Sequence, residues 1–82
     1  MIVKEVKLGS ELIQKETIRP MIVQTACAFD SKVELLVGNA TVNAKSIMGV
    51  MAIPLEEGSV ISLRVDGIDE DDVINAMRLI LE

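Results

Sequence analysis

Residues 32–43 read KVELLVGNATVN, and this stretch decides the fold. Over 32–37 the chain alternates, with Val33, Leu35 and Val37 on one side, the pattern of a half-buried strand. Gly38-Asn39 is a tight-turn signal, and ATVN at 40–43 returns as a short second strand. A hairpin with one apolar face needs a cover. The segments on either side supply it.

Upstream, IVKEVKL at 2–8 puts Ile2, Val6 and Leu8 on one side of a strand and Val3, Glu5 and Lys7 on the other. Lys4 falls on the apolar side, near the strand start, where its amine still reaches water. Residues 9–17, GSELIQKET, carry turn formers and polar side chains and predict a loop. Pro20 suits the first turn of a helix, where its missing N–H costs nothing. Ile22, Val23, Ala26 and Phe29 then recur at helical spacing, and Asp30-Ser31 ends that helix.

Downstream, Ser46 is placed to cap a short helix over IMGVMAI, with Pro54 beyond its end. Glu57-Gly58 turns the chain into SVISLRV at 59–65, a strand with Ile61, Leu63 and Val65 on one face. Asp69 is placed to cap a last helix, with Glu70, Asp71 and Asp72 in its first turn, where carboxylates favour the positive end of the dipole. Val73, Met77, Ile80 and Leu81 form its buried stripe. The order βαββαβα predicts an α+β open-faced β-sandwich: a four-stranded antiparallel sheet with three helices on one face. Residues 1–82 are expected to form a single domain.

Composition narrows the chemistry. Half of the 82 residues are apolar, one is aromatic (Phe29) and none is histidine. A chain of this size buries only about 60% of its unfolded surface, so nearly every apolar side chain is needed for one core. Little room is left for an enzyme cleft. The absent histidine removes the commonest general base, the commonest metal ligand and any phosphohistidine chemistry. The single Cys27 excludes an internal disulfide and points to a reducing cytosol. It is expected to be a packed thiol, since no cationic partner is adjacent.

The formal charge is −5, from 8 basic and 13 acidic residues. The basic residues are scattered and lack stacking aromatics, which argues against direct nucleic-acid binding. No uncharged run approaches the ~18–20 residues of a membrane span, and the N-terminus lacks the apolar centre of a signal peptide. A cytoplasmic protein is expected, with no cofactor.

Three segments stand out as candidate sites. The first is Ser46 with Ile47, Met48 and Met51. The short helix cannot bury all of Ile47, Met48, Val50 and Met51, which occupy nearly its whole circumference. Some must face solvent, and exposed adaptable Met is a partner-binding feature. A phosphate on Ser46 would lie where free N–H groups and the dipole favour an anion. The second is DGIDEDD at 66–72, five acids in seven residues. It lacks the alternating ligands, central Gly and distal Glu of a calcium loop, so no metal site is expected. The third is KETIRP at 15–20. Arg19 places a cation near a helix N-terminus, mildly unfavourable for the helix and suggestive of an anion.

VNAKSIMGVM at 42–51 resembles the regulatory serine segment of HPr proteins, the phosphocarriers of the bacterial sugar phosphotransferase system, as found in Gram-positive bacteria. IVQTA at 22–26 resembles their first helix, and GIDEDDVINAM at 67–77 the Gly-acidic start of their last. The likeness covers essentially the whole chain and implies the fold derived above. The family's carrier motif, Gly-hydrophobic-His-small-Arg-Pro, is altered here. Anchoring on Arg19-Pro20 puts Thr17 at the histidine position. An ungapped alignment through IVQTA puts Lys15 there.

Either way the carrier step lacks its nucleophile. Lysine is an ammonium at neutral pH unless strongly desolvated, and a phosphothreonine ester is too stable to pass its phosphate on. The resemblance is therefore closest to the histidine-lacking catabolite repression HPr-like protein. It implies a regulatory, non-enzymatic role in carbon catabolite repression. An HPr kinase/phosphorylase would phosphorylate Ser46. A catabolite control transcription factor would then bind the phosphoserine with Ile47, Met48, Met51 and the loop arginine, here Arg19. The alternative is a diverged interaction module of the same fold that binds an unrelated partner constitutively.

Overall fold

The computed structural model describes residues Met1–Glu82. Its four strands are β1 (Ile2–Lys7), β2 (Lys32–Val37), β3 (Ala40–Asn43) and β4 (Val60–Asp66). They form one sheet in the order β1-β4-β2-β3, every neighbouring pair antiparallel. The helices are α1 (Ile18–Cys27), α2 (Ile47–Met51) and α3 (Glu70–Leu81). This is the α+β architecture expected from the order of elements.

The register shows why one face is dry. Val6 pairs with Ile61, Leu35 with Leu63 and Val33 with Val65. Because strand side chains alternate with period two, these six share a face, and all six are buried. Ile22 and Ala26 of α1, Val50 of α2 and Val73, Ile74, Met77 and Leu81 of α3 complete the core above them. Lys4 pairs with Leu63 on the core side, but β1 is an edge strand and the lysine is exposed. On the opposite face Val3, Glu5, Lys7 and Lys32 are exposed. There Glu34 accepts a hydrogen bond from Arg64 across the β2–β4 pair at 2.9 Å. That bond holds the Glu34 carboxyl below its ordinary value.

Three details depart from expectation. The segment 9–17 contains a one-turn 3-10 helix, Glu11–Gln14, capped by the Ser10 hydroxyl, which accepts the Leu12 N–H at 3.1 Å. Its purpose is packing: Ile13 is buried, and one apolar pair in a polar run is too short to show a period. Helix α1 starts at Ile18, itself buried, so Pro20 is its third residue; Phe29 lies past the helix end and is half-buried. Cys27, expected to be packed, is exposed. Ala26 takes the core-facing position, and the next helical residue is rotated by about 100° away from it.

Asp69 also acts differently from a simple cap. It precedes α3 but makes no side-chain bond to that helix. Its carboxylate instead accepts the Ser31 hydroxyl, the Ser31 N–H at 3.0 Å and the Asp30 N–H at 2.9 Å. The Ser31 hydroxyl, and after it the Asp30 N–H, keep the Asp69 carboxyl below its usual range. One side chain thereby ties the end of the α1 turn to the start of α3 and satisfies Ser31, the only buried polar residue.

Candidate functional site

The site is built on α2. Asn43 starts it: its side-chain oxygen accepts the Lys45 N–H at 2.9 Å and its carbonyl accepts the Ser46 N–H at 3.0 Å. Buried Ala44 pins this turn to the core. Ser46 then has the extended backbone of an N-cap, and its hydroxyl accepts the Gly49 N–H at 3.3 Å. A Cβ at position 49 would lie 3.3 Å from the Val42 Cβ, so glycine lets the helix settle closely on β3.

Only Val50 of the helix is buried. Ile47, Met48 and Met51 are 44%, 81% and 61% exposed, although all three are apolar. Crowding of apolar residues around so short a helix predicts this outcome. The helix thus sits on one anchor and presents three large apolar side chains beside a serine hydroxyl. Replacing Ser46 with Ala should cost about 0.5–1 kcal/mol, the lower part of the usual range for a lost cap because the bond is long. An unchanged denaturant midpoint would contradict the capping role. Met51→Asp should change stability by no more than about 0.5 kcal/mol, as for other exposed positions. A large loss would place Met51 in the core.

Arg19 is half-buried, and its position answers the electrostatic puzzle of a cation in the first turn of a helix. The guanidinium leaves its own N-terminus and donates through Nη1 to the carbonyls of Val50 and Ile53, the latter at 2.8 Å. These carbonyls lie at the negative end of α2, where a cation is favoured. The partners of the guanidinium here are two backbone carbonyls, neutral groups that carry partial negative charge. Thr17 is the exposed N-cap residue of α1 and makes no side-chain cap bond; Lys15 is exposed at the end of the 3-10 turn. Both stand on the segment leading into α1. The structure therefore groups Ser46, Ile47, Met48 and Met51 on one helix and brings Arg19 to its end.

The five acids at 66–72 do not converge. Asp66 and Glu70 face the terminal ammonium of Met1 at 3.6 and 3.0 Å, Asp69 turns to Ser31, and Asp71 and Asp72 are exposed. No three His, Cys, Asp or Glu side chains are grouped as a metal ion requires. No helix is long and apolar enough to cross a membrane. A shallow concavity is lined by Asn75, Arg78 and Leu79 of α3 and by Glu82 just past its end, and includes none of the residues above.

Sequence reasoning missed Lys45, which donates through Nζ to the Phe29 carbonyl at 2.8 Å, just past the end of α1. Its only signal was a basic residue beside a cap, which does not reveal a partner sixteen residues away.

Residues 18–82 match the protein family described as the PTS HPr component phosphorylation site. The chain belongs to the HPr family. The phosphocarrier protein HPr of Treponema pallidum (strain Nichols) is 39% identical over 82 residues, covering all of this chain and 93% of that protein. The crystal structure of HPr from Bacillus anthracis str. Ames is similar with a TM-score of 0.90 at 27% identity, covering 99% of this chain and 96% of that one. The Bacillus subtilis catabolite repression protein Crh is similar with a TM-score of 0.72 at 31% identity, covering 92% and 82%. HPr proteins are phosphocarriers, not enzymes. The match begins at Ile18, so Lys15 and Thr17 lie outside it.

Proposed function

We propose that this HPr-family chain is a regulatory protein rather than a working phosphocarrier, switched by phosphorylation of Ser46. The observation that carries the reading is the joint presence of a capping Ser46 beside three exposed apolar side chains and of no histidine anywhere in the 82 residues. Transfer of a phosphoryl group through this fold needs a neutral imidazole nitrogen that attacks phosphorus and then releases it. Neither exposed Lys15 nor exposed Thr17 supplies that chemistry. A serine ester has the opposite merit. It is stable, so it serves as a mark and not as cargo.

A phosphate on Ser46 adds charge of about −1.5 to −2 beside the patch. The partner is then read as one that offers an apolar cleft for Ile47, Met48 and Met51 next to a cationic pocket. An HPr kinase/phosphorylase would write the mark, and a catabolite control transcription factor would read it, in the cytoplasm, with residues 1–82 acting as one domain. In this reading the chain stands nearer to the histidine-lacking catabolite repression protein than to a standard HPr.

The test is capture of that factor on immobilised protein. The Ser46-phosphorylated form is expected to retain it. Ser46→Ala treated in the same way is expected not to, and Met51→Asp should weaken retention. A second reading, a module with a constitutive partner of another kind, is favoured by the replacement of the carrier motif with Lys15-Glu16-Thr17. It predicts binding partners indifferent to Ser46→Ala and Ser46→Asp. That result would overturn the switch.

A further inference from the structure

We infer that Arg19 and Lys45 form a reciprocal brace between α1 and α2, in which Arg19 is the positioning residue for the exposed face of α2. Arg19 is the second residue of α1, yet it donates to Val50 and Ile53 at the C-terminal end of α2. Lys45 immediately precedes the α2 cap, yet it donates to Phe29 just beyond the C-terminal end of α1. Each helix therefore runs against the other head to tail. A cation from the start of each covers carbonyls at the end of its neighbour. The Val50 carbonyl belongs to the last turn of α2, where carbonyls lack intrahelical partners and carry the negative end of the dipole, while those of Ile53 and Phe29 lie just past their helices and each gain a charged donor.

The brace matters most for α2. A helix of five residues is far below the length that is stable by itself in water. Its geometry rests on the Ser46 cap at one end, Val50 in the core and Arg19 at the other end. Gln14 strengthens the same side by donating to Glu57, which joins the segment before α1 to the connection between α2 and β4. Loss of the guanidinium frees the carbonyls of Val50 and Ile53 and loosens the last turn, the turn that carries Met51. Arg19 then acts on recognition through α2, and its Nη1 is committed to backbone carbonyls. Lysine is a partial substitute: one nitrogen, Nη1, serves both carbonyls, and an ammonium also has several donors, but it sits on a more flexible stem and is more strongly hydrated.

The brace is tested on the free protein, and its role in recognition rests on the reading of α2 given above. Amide hydrogen exchange is compared in wild type, Arg19→Lys and Arg19→Gln. The reporters are the N–H of Val50, bonded to the Ser46 carbonyl, and that of Ala52, bonded to the Gly49 carbonyl. In Arg19→Gln they should exchange about tenfold faster, as expected for loss of a charged hydrogen bond at a locally opening element. Arg19→Lys should fall between. Amides of β4 and α3 should be unchanged, which separates local loosening from general destabilisation. Equal exchange of Val50 and Ala52 in all three proteins would overturn the brace.

Kinetics of Ser46 labelling by an HPr kinase give the second readout. Arg19→Gln should raise KM with little change in kcat, and Arg19→Lys should partly restore it. Loosened α2 amides with unaltered KM would overturn the positioning role. A wild-type chain that takes no label would count against the regulatory reading, while the exchange result still decides the brace.

Discussion

Gly67→Ala is expected to be the most damaging single methyl group that can be added to this protein. A Cβ on residue 67 would lie 2.6 Å from the Ser31 Cα and 2.7 Å from its Cβ, closer than such atoms ever approach. The clash is with backbone at the start of β2, so no rotamer change relieves it. Gly67 also has φ 157°, which residues with side chains rarely adopt. Relief requires α3 and the turn before β2 to move apart. That movement would break the bonds from Ser31 and Asp30 to Asp69. Overpacking, backbone strain and lost hydrogen bonds together should cost roughly 3 kcal/mol or more. In a domain of this size that lowers the melting temperature by about 12–24 °C. A thermal melt within a few degrees of wild type would show that the two segments are not locked together.

Leu63→Ala should have an effect of similar size for a different reason. Leu63 is fully buried in β4, a central strand, with Lys4 of β1 on one side and Leu35 of β2 on the other. Its neighbours are held by backbone ladders on both sides, so the space left by three lost carbons cannot readily close. The expected cost is about 2–5 kcal/mol, combining lost transfer energy with a residual cavity. Val3→Ala, on the opposite face of β1, provides the contrast and should cost within about 0.5 kcal/mol. Similar midpoints for the two variants would contradict the assignment of faces.

What the sequence discloses here follows from the range of each interaction. The strands were legible because Val33 and Leu35, and Ile61, Leu63 and Val65, recur at every second position with Glu34, Ser62 and Arg64 between them, and a period of two survives in a short segment. Helix α3 was legible because Val73, Met77 and Leu81 return every four residues; buried Ile74 and half-buried Ile80 widen that stripe. The exposed face of α2 was legible by crowding, since four large apolar residues cannot all be covered around five positions. The long-range polar bonds were not legible. Asp69 has the local marks of a cap, but its carboxylate accepts from Asp30 and Ser31 instead, where Gly67 lets the two segments come close. Arg19 carried a trace of its role, a cation where the helix dipole disfavours one. Its true partners lie 31 and 34 residues away. Lys45 carried only its place beside a cap, which does not point to the Phe29 carbonyl. The short turn at 11–14 was hidden because one buried residue, Ile13, has no periodic companion.

The same division applies to function. Loss of the histidine is a fact of composition, and it removes carrier chemistry without any structure. The exposure of Ile47, Met48 and Met51 adds a surface that a partner can use, with Ser46 beside it. The most direct measurement of the regulatory role is incubation of the chain with ATP and an HPr kinase, followed by mass spectrometry to locate the phosphate. An authentic HPr is treated in parallel, and Ser46→Ala serves as the control. Regulation through Ser46 predicts a single phosphate on Ser46 of the wild-type chain and none on the Ser46→Ala protein. Efficient labelling of the authentic HPr with no phosphate on Ser46 of this chain would contradict it.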